Sequence, residues 1–333
     1  MSINQSSPTS APTKPSQRRF STIVSNPDGT YSRKIQLPTS PPEPDPSTTT
    51  SMVLSKDIPV NSTNQTFVRL FLPRHVLDSD SPNTTNIKLP LIFYFHGGAF
   101  IHCSAASTFF HIFCSNMALQ LQAIIVSVEY RLAPEHRLPL AYDDAVEALH
   151  WIKTTKEGWV GEFADFSNCF LMGTSAGANI AYHAALRACE AAEDLGPLKI
   201  RGLLLHHPFI GGVERTGSEL RMENDPMLPL YVCDEAWSFS LPVGADRDHE
   251  FCNPMVGGGS DYFDRIRVMG LRAFVSACYG DPLIDRQMEL VKMLEEKGVE
   301  TVTYYCEGSH GLEITDPSKA QDLFRVLKCF IFC

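Results

Sequence analysis

Short apolar runs alternate along this chain with longer segments in which apolar residues recur at helical spacing. Leu91-Ile92-Phe93-Tyr94-Phe95 is continuous apolar sequence and predicts a buried strand, as do residues 123–128, 169–172 and 200–205. Residues 66–72 alternate apolar with polar positions, which suits a strand. Ala145, Ala148, Leu149 and Ile152 fall on one face of a helix predicted over 139–156, and an alanine-rich helix is predicted over 178–189. The same rhythm gives a strand at 273–278, a helix at 285–297, a strand at 301–305 and a helix at 316–332. Strands alternating with helices imply an α/β class, with a mostly parallel central sheet covered by helices on both faces. Residues 209–247 break the rhythm with Gly, Pro and charged positions. They read as a cap inserted over the C-terminal strand ends, where open α/β sheets bind ligands. Residues 36–50, rich in Pro, Ser and Thr, read as an extended linker, and residues 78–86 as a polar loop. A disordered tail over 1–20 followed by one domain over 21–333, its cap drawn from about 21–50 and 209–247, is the expected organisation.

Two of the predicted strands end in sequences that carry chemistry. Gly173-Thr174-Ser175-Ala176-Gly177 reads G-x-S-x-G between a strand and a helix, the context of a nucleophile elbow. Such a turn is sharp enough that only glycine fits at its two ends, and it lifts the serine hydroxyl clear of the backbone. It also leaves the Ala176 N–H free to donate. His96-Gly97-Gly98-Ala99-Phe100 follows the strand at 91–95, where a hydrolase of this kind places its other oxyanion donors. Either motif alone matches an ordinary glycine turn; both together, in this order and behind strands, point to Ser175 as a nucleophile served by Gly97, Gly98 and Ala176.

A serine nucleophile needs a base and an orienting acid, in the chain order Ser, Asp or Glu, His. The histidines after Ser175 are His183, His206, His207, His249 and His310. Only His310 follows the last predicted strand, so it is the candidate base. His183 lies in the elbow helix and His206-His207 close a strand, which makes them structural residues. Tyr279-Gly280-Asp281-Pro282 ends the preceding strand and offers Asp281 as the acid. Asp285 competes with it but reads better as the N-cap of the next helix.

Composition narrows the setting. The 333 residues, 44% hydrophobic and 20% charged, suit a globular enzyme, and the net charge of -10 without a Lys/Arg block argues against a nucleic-acid partner. No apolar stretch approaches the roughly 18 residues of a membrane span. Ten scattered cysteines without a C-x-x-C pair read as reduced thiols of a cytoplasmic protein. Residues 1–27 are free of acidic side chains, hold Lys14, Arg18 and Arg19, and have a transit-peptide-like composition. The prolines among them break any amphipathic helix, which favours a disordered tail.

Beyond these motifs the chain carries Asn26-Pro-Asp-Gly29, Tyr130-Arg-Leu-Ala-Pro-Glu135, Tyr142-Asp-Asp144, Asp246-Arg-Asp-His-Glu250 and Asp281-Pro-Leu-Ile-Asp285. From about Phe20 onward it resembles a plant carboxylesterase of the hormone-sensitive-lipase-like branch of the α/β-hydrolases. That resemblance implies hydrolysis of small-molecule esters without a cofactor or metal, by a triad of Ser175, Asp281 and His310. It also implies a substrate pocket including Ala99, Phe100, Phe209 and Ile210, in a monomer or weak homodimer. Four departures bear on the substrate: Ala99 replaces a third glycine, Thr174 an acidic residue and Ser309 a bulky one, and Cys103 lies near the oxyanion loop. Two other readings share the scaffold: a cyclase or transesterase, and a hormone receptor, which would lack the triad histidine that His310 supplies.

Overall fold

The computed structural model describes residues 22–77, 88–190, 195–258 and 260–332. The chain divides into two compact units, residues 1–36 and 37–333. The first holds a hairpin of β1 (Ile23–Ser25) and β2 (Tyr31–Arg33), turned by Asn26-Pro-Asp-Gly29 with Gly29 at φ 85°. The 21–50 stretch expected to join the cap therefore crosses a unit boundary, and the tail at 1–20 lies outside the described residues, as does the polar loop at 78–86.

The second unit is built on an eight-stranded sheet: β3 (Val53–Asn61), β4 (Thr66–Pro73), β5 (Leu89–Phe95), β6 (Ile124–Val128), β7 (Ala164–Thr174), β8 (Ile200–His206), β9 (Arg272–Cys278) and β10 (Thr301–Cys306). Spatial order is β10-β9-β8-β7-β5-β6-β4-β3. The β3–β4 and β4–β6 pairs are antiparallel and the remaining pairs parallel. From β5 the chain steps first to β6 on one side and then to β7 on the other, so the C-terminal ends of β5 and β7 flank the point where strand order reverses. In open α/β sheets a crevice opens there.

Helices cover both faces. α1 (Thr108–Leu121) packs against α10 (Pro317–Phe332) on one, while α2 (Leu140–Thr154) and α4 (Ala176–Glu190) pack together on the other. Alternate strand residues Ile92, Tyr94, Phe170, Met172, Leu204 and Phe274 meet Phe113, Met117, Leu323, Phe324 and Phe330 in one buried core. The sequence pattern did not predict α1: its buried residues Phe110, Phe113, Cys114, Met117, Ala118 and Leu121 recur at helical spacing, but apolar residues outside that face, such as the exposed Ile112, blur it. α3 (Gly158–Phe163) was missed for its shortness.

The irregular 209–247 segment folds into α5 (Gly217–Arg221) and α6 (Leu230–Ser240), followed by α7 (Ser260–Val268) before β9. α8 (Ile284–Glu296) begins one residue before Asp285, so Asp285 lies inside the first turn and is not the N-cap. Its Oδ2 instead accepts the Ser218 N–H at 2.7 Å and ties α5 to α8. The final expected helix forms as α10, and a short helix that the sequence reading did not include, α9 (Leu312–Thr315), precedes it. The stretch read as a linker is extended but docked in its second-unit part: Ser40 N–H donates to Ala106, Thr108 N–H to Pro38, and Ser55 N–H to Glu43.

Candidate active site

β7 delivers Ser175 at φ 58°, in the left-handed region that bulky residues avoid. The flanking glycines explain how the turn closes. A Cβ on Gly173 would stand 2.0 Å from the Gly177 carbonyl oxygen, and one on Gly177 would stand 1.9 Å from that of Phe95. Both contacts are with backbone, so no side-chain movement relieves them. The turn is pinned by Ser175 N–H to His206 carbonyl at 2.8 Å and Phe209 N–H to Ser175 carbonyl at 3.0 Å. Ser175 is buried, with 7% of its surface exposed.

The loops after β9 and β10 bring two residues to it. His310 Nε2 lies 2.9 Å from Ser175 Oγ, and His310 Nδ1 lies 2.7 Å from Asp281 Oδ2. Asp281 is fully buried; its Oδ1 accepts the Leu283 N–H at 2.9 Å and its Oδ2 accepts from Gln287 at 3.0 Å. Burial alone would raise its carboxyl, but the facing His310, with His207, more than reverses this and holds it well below the ordinary carboxylate value. An imidazole between a hydroxyl and an ionised carboxylate can take up the hydroxyl proton.

Gly97 and Ala176 adjoin the elbow. A Cβ on Gly97 would lie 3.1 Å from the Thr174 carbonyl and 3.3 Å from Ser175 Cβ. Ala176 opens α4, where the first N–H groups lack intrahelical acceptors. Gly98 has φ 114°, and a side chain there would strike the His102 carbonyl oxygen at 2.2 Å. Ala99 and Phe100 continue the loop at φ 55° and 64°. Phe100, Phe209 and Ile210 are buried, and the two phenylalanines meet Trp237 of α6: the Phe209 and Trp237 rings stack at 4.8 Å and Phe100 lies 5.5 Å from Trp237. Trp237 was not singled out in the sequence, since an isolated Trp in an irregular segment carries no pattern.

Two of the residues that depart from the expected motifs, Thr174 and Cys103, have evident surroundings. Thr174 is buried, its Oγ1 2.8 Å from Tyr94 Oη and 2.9 Å from His206 Nδ1, so its side chain joins a polar chain beneath the elbow. Burial pushes the Cys103 thiol up to about 12, which suits an unreactive thiol. His206 and His207, read as structural, and Glu313 of α9, not singled out, extend the site. Glu313 Oε2 lies 3.2 Å from both His206 Nε2 and His207 Nε2, and His207 Nδ1 lies 3.2 Å from Asp281 Oδ2. A His-His pair at the C-terminal end of a central strand was the available signal.

Among the described residues, His206/His207/Glu313, His207/Asp281/His310 and Cys278/Cys306/Glu313 group ligand-type atoms within 4.8 Å. In the first two the carboxylate is bonded to imidazoles, and in the third Glu313 Oε1 lies 3.5 Å from Cys306 Sγ while its Oε2 faces the histidines. These donors are engaged with one another. No described helix is long and apolar enough to cross a membrane.

Known proteins share this arrangement of the chain. Residues 92–313 match the family described as alpha/beta hydrolase fold. The chain is 51% identical over 312 residues to Carboxylesterase 20 of Arabidopsis thaliana, covering 93% of this chain and 94% of that one. It is 45% identical over 312 residues to a 3-O-acetylpapaveroxine carboxylesterase of Papaver somniferum, covering 91% and 95%. A solved esterase of the archaeon Pyrobaculum calidifontis superposes with a TM-score of 0.68 at 23% identity over 84% of each chain, a likeness of fold.

Proposed function

This chain belongs to the plant carboxylesterase family of the alpha/beta hydrolase fold, and from that premise we propose that it is a serine esterase in which Ser175, His310 and Asp281 carry the reaction. The observation that carries this reading is the unbroken chain from Ser175 Oγ through the His310 ring to Asp281, at 2.9 and 2.7 Å. His310 Nε2 takes the Ser175 proton as Oγ attacks the ester carbonyl. Backbone N–H groups of Gly97, Gly98 and Ala176 receive the oxyanion, each donor of this kind being worth about 3 kcal/mol elsewhere. His310 returns the proton to the leaving alcohol, and an acyl-serine remains. Water, giving a proton to His310, then releases the acid. Asp281 holds His310 Nδ1 protonated so that Nε2 faces the serine. The 209–247 segment caps the crevice, with Trp237 seated on Phe209. We take the substrate to be a small-molecule ester with a short acyl group. The relative named for an acetylated compound and the Ala99 side chain beside the oxyanion loop both favour this. The scattered spacing of the cysteines favours the cytoplasm.

A panel of aryl acetate and hexanoate esters, run with and without a serine-directed organophosphate, tests the reading. Hydrolysis to free acid and alcohol, abolished by modification of Ser175 alone, is the expected result. An acyl product transferred without release of free acid would move the assignment to a transesterase. Hydrolysis that persists with Ser175 fully modified would remove the serine from the mechanism.

A further inference from the structure

We propose that His207 is a positioning residue of this site, a cation held between the Asp281 and Glu313 carboxylates that fixes Asp281 against His310. The inference rests on the hydrolase reading above. Its ground is the charge balance of a sealed cluster. Asp281 and Glu313 are both buried, and their ion-pair partners among the described residues, within 4 Å, are His206, His207 and His310. Buried carboxylates need a counter-charge. His310 must be neutral to accept the serine proton. His206 bonds Thr174 through Nδ1 and Glu313 through Nε2, and burial drives its imidazole down to about 4, so it too is neutral. His207 remains. Its two ring nitrogens each face a carboxylate oxygen at 3.2 Å, which only a doubly protonated ring satisfies as donor on both sides. Burial opposes that charge, but the bonds to Asp281, Cys278 and Glu313 more than offset it and hold the imidazole well above its ordinary value.

The groups facing His207 are Asp281 beyond β9, Cys278 at the end of β9 with Sγ 3.7 Å from Nε2, Glu313 on α9, the His206 ring at 4.5 Å and the His310 ring at 5.5 Å. The Gly311 N–H also lies 3.3 Å from Nδ1, where it can donate only to a neutral ring. That neutral ring is the competing state. The two states act differently on the reaction. A cation beside Asp281 opposes a second positive charge on His310, so the base stays available as the solution is acidified. Without the cation, Asp281 and Glu313 together favour protonated His310, and the acid limb of the rate profile moves to higher pH.

Two measurements on the full chain decide the matter. In His207→Gln, kcat for p-nitrophenyl acetate should fall about tenfold with KM little changed, and the acid limb of kcat/KM should rise by about one pH unit. A purely structural histidine would lower the melting temperature without moving that limb. Selective 15N-histidine labelling of the wild-type protein at about pH 8, with the ring assigned through the backbone, should show both His207 nitrogens protonated. A neutral His207 ring there overturns the proposal, as does a folded His207→Gln enzyme with an unmoved acid limb. The ring measurement needs no activity, so a wild-type protein inert toward every ester defeats the hydrolase reading while leaving this test in force.

Discussion

Ser175 and Ala99 sit in the same region of backbone space for opposite reasons. Ser175 at φ 58° is held there by the elbow, and the strain is what exposes its hydroxyl to His310. Ser175→Ala should leave the melting temperature within a few degrees and lower ester turnover by roughly 10⁴-fold or more, measured with the same aryl acetate. Ala99 at φ 55° occupies a position suited to glycine. Ala99→Gly removes that strain and should raise stability by about 1 kcal/mol, seen as a higher melting temperature. It also removes a methyl from the candidate oxyanion loop, so hexanoate turnover should gain on acetate by up to about tenfold. An equal effect on both esters would mean that this methyl does not reach the acyl group.

At the scale of elements, the loop after β5 and the 209–247 segment meet through rings. Trp237 on α6 is buried and stacks on Phe209 with the planes 4° apart, and Phe100 packs against both. Phe100 is the residue after Ala99, so α6 braces the loop that carries Gly97 and Gly98. α6 is bonded to the body as well, through Leu138 N–H to the Ser240 carbonyl at 2.8 Å. Trp237→Ala should therefore cost about 3–5 kcal/mol of stability. It should also relax acyl selectivity, because Phe100 loses the face against which it is set. A thermal melt together with the hexanoate-to-acetate ratio checks both. An unchanged ratio in a destabilised protein would confine Trp237 to packing.

The whole molecule buries histidines that fold in the neutral form. Burial lowers His96 and His206 to about 4 and His183 to about 3, against 6.5 when unfolded. Between these values the unfolded chain binds more protons, so stability rises with pH; it is complete above about pH 6.5 and falls as pH drops toward 4. Each such histidine is worth about 3 kcal/mol over that window. Glu129 acts in the opposite sense, since burial raises it to about 7, but it is a single group against three. Asp281 and Glu313, held low, lose their contribution only below about pH 4. The protein should therefore lose much of its stability between about pH 6.5 and 4. His183 stacks on Tyr142 at 4.4 Å beside Phe251 and Tyr182, a cage that also fits a phenyl ring. His183→Phe should remove one proton from the acid transition. Melting temperatures at about pH 7.5 and 5 check this: the variant should lose less on acidification than the wild type, and an equal loss would place the liability elsewhere.

The strand–helix rhythm, the strand end at Phe95 and the two glycine motifs were legible because each is written locally, while the strand expected over 169–172 runs from Ala164 to Thr174. Period, turn chemistry and the steric demand for glycine act over a few neighbouring residues. The chain order of Ser175, Asp281 and His310 was legible for a related reason: parallel strands bring their C-terminal loops to one edge wherever they fall in the sequence. What the sequence left open depends on contacts between distant residues. Asp285 reads as a cap until α5 arrives and Ser218 takes its carboxylate. α1 buries Phe110, Phe113, Cys114, Met117, Ala118 and Leu121 at helical spacing, but an exposed Ile112 off that face blurs the pattern in the sequence. His207 is an ordinary strand-end residue in the sequence, and only folding sets it between Asp281 and Glu313, 74 and 106 residues further along the chain. Local rules determined the scaffold and its candidate nucleophile; which carboxylates share a buried cluster was decided by the tertiary structure, because desolvation couples groups by distance in space.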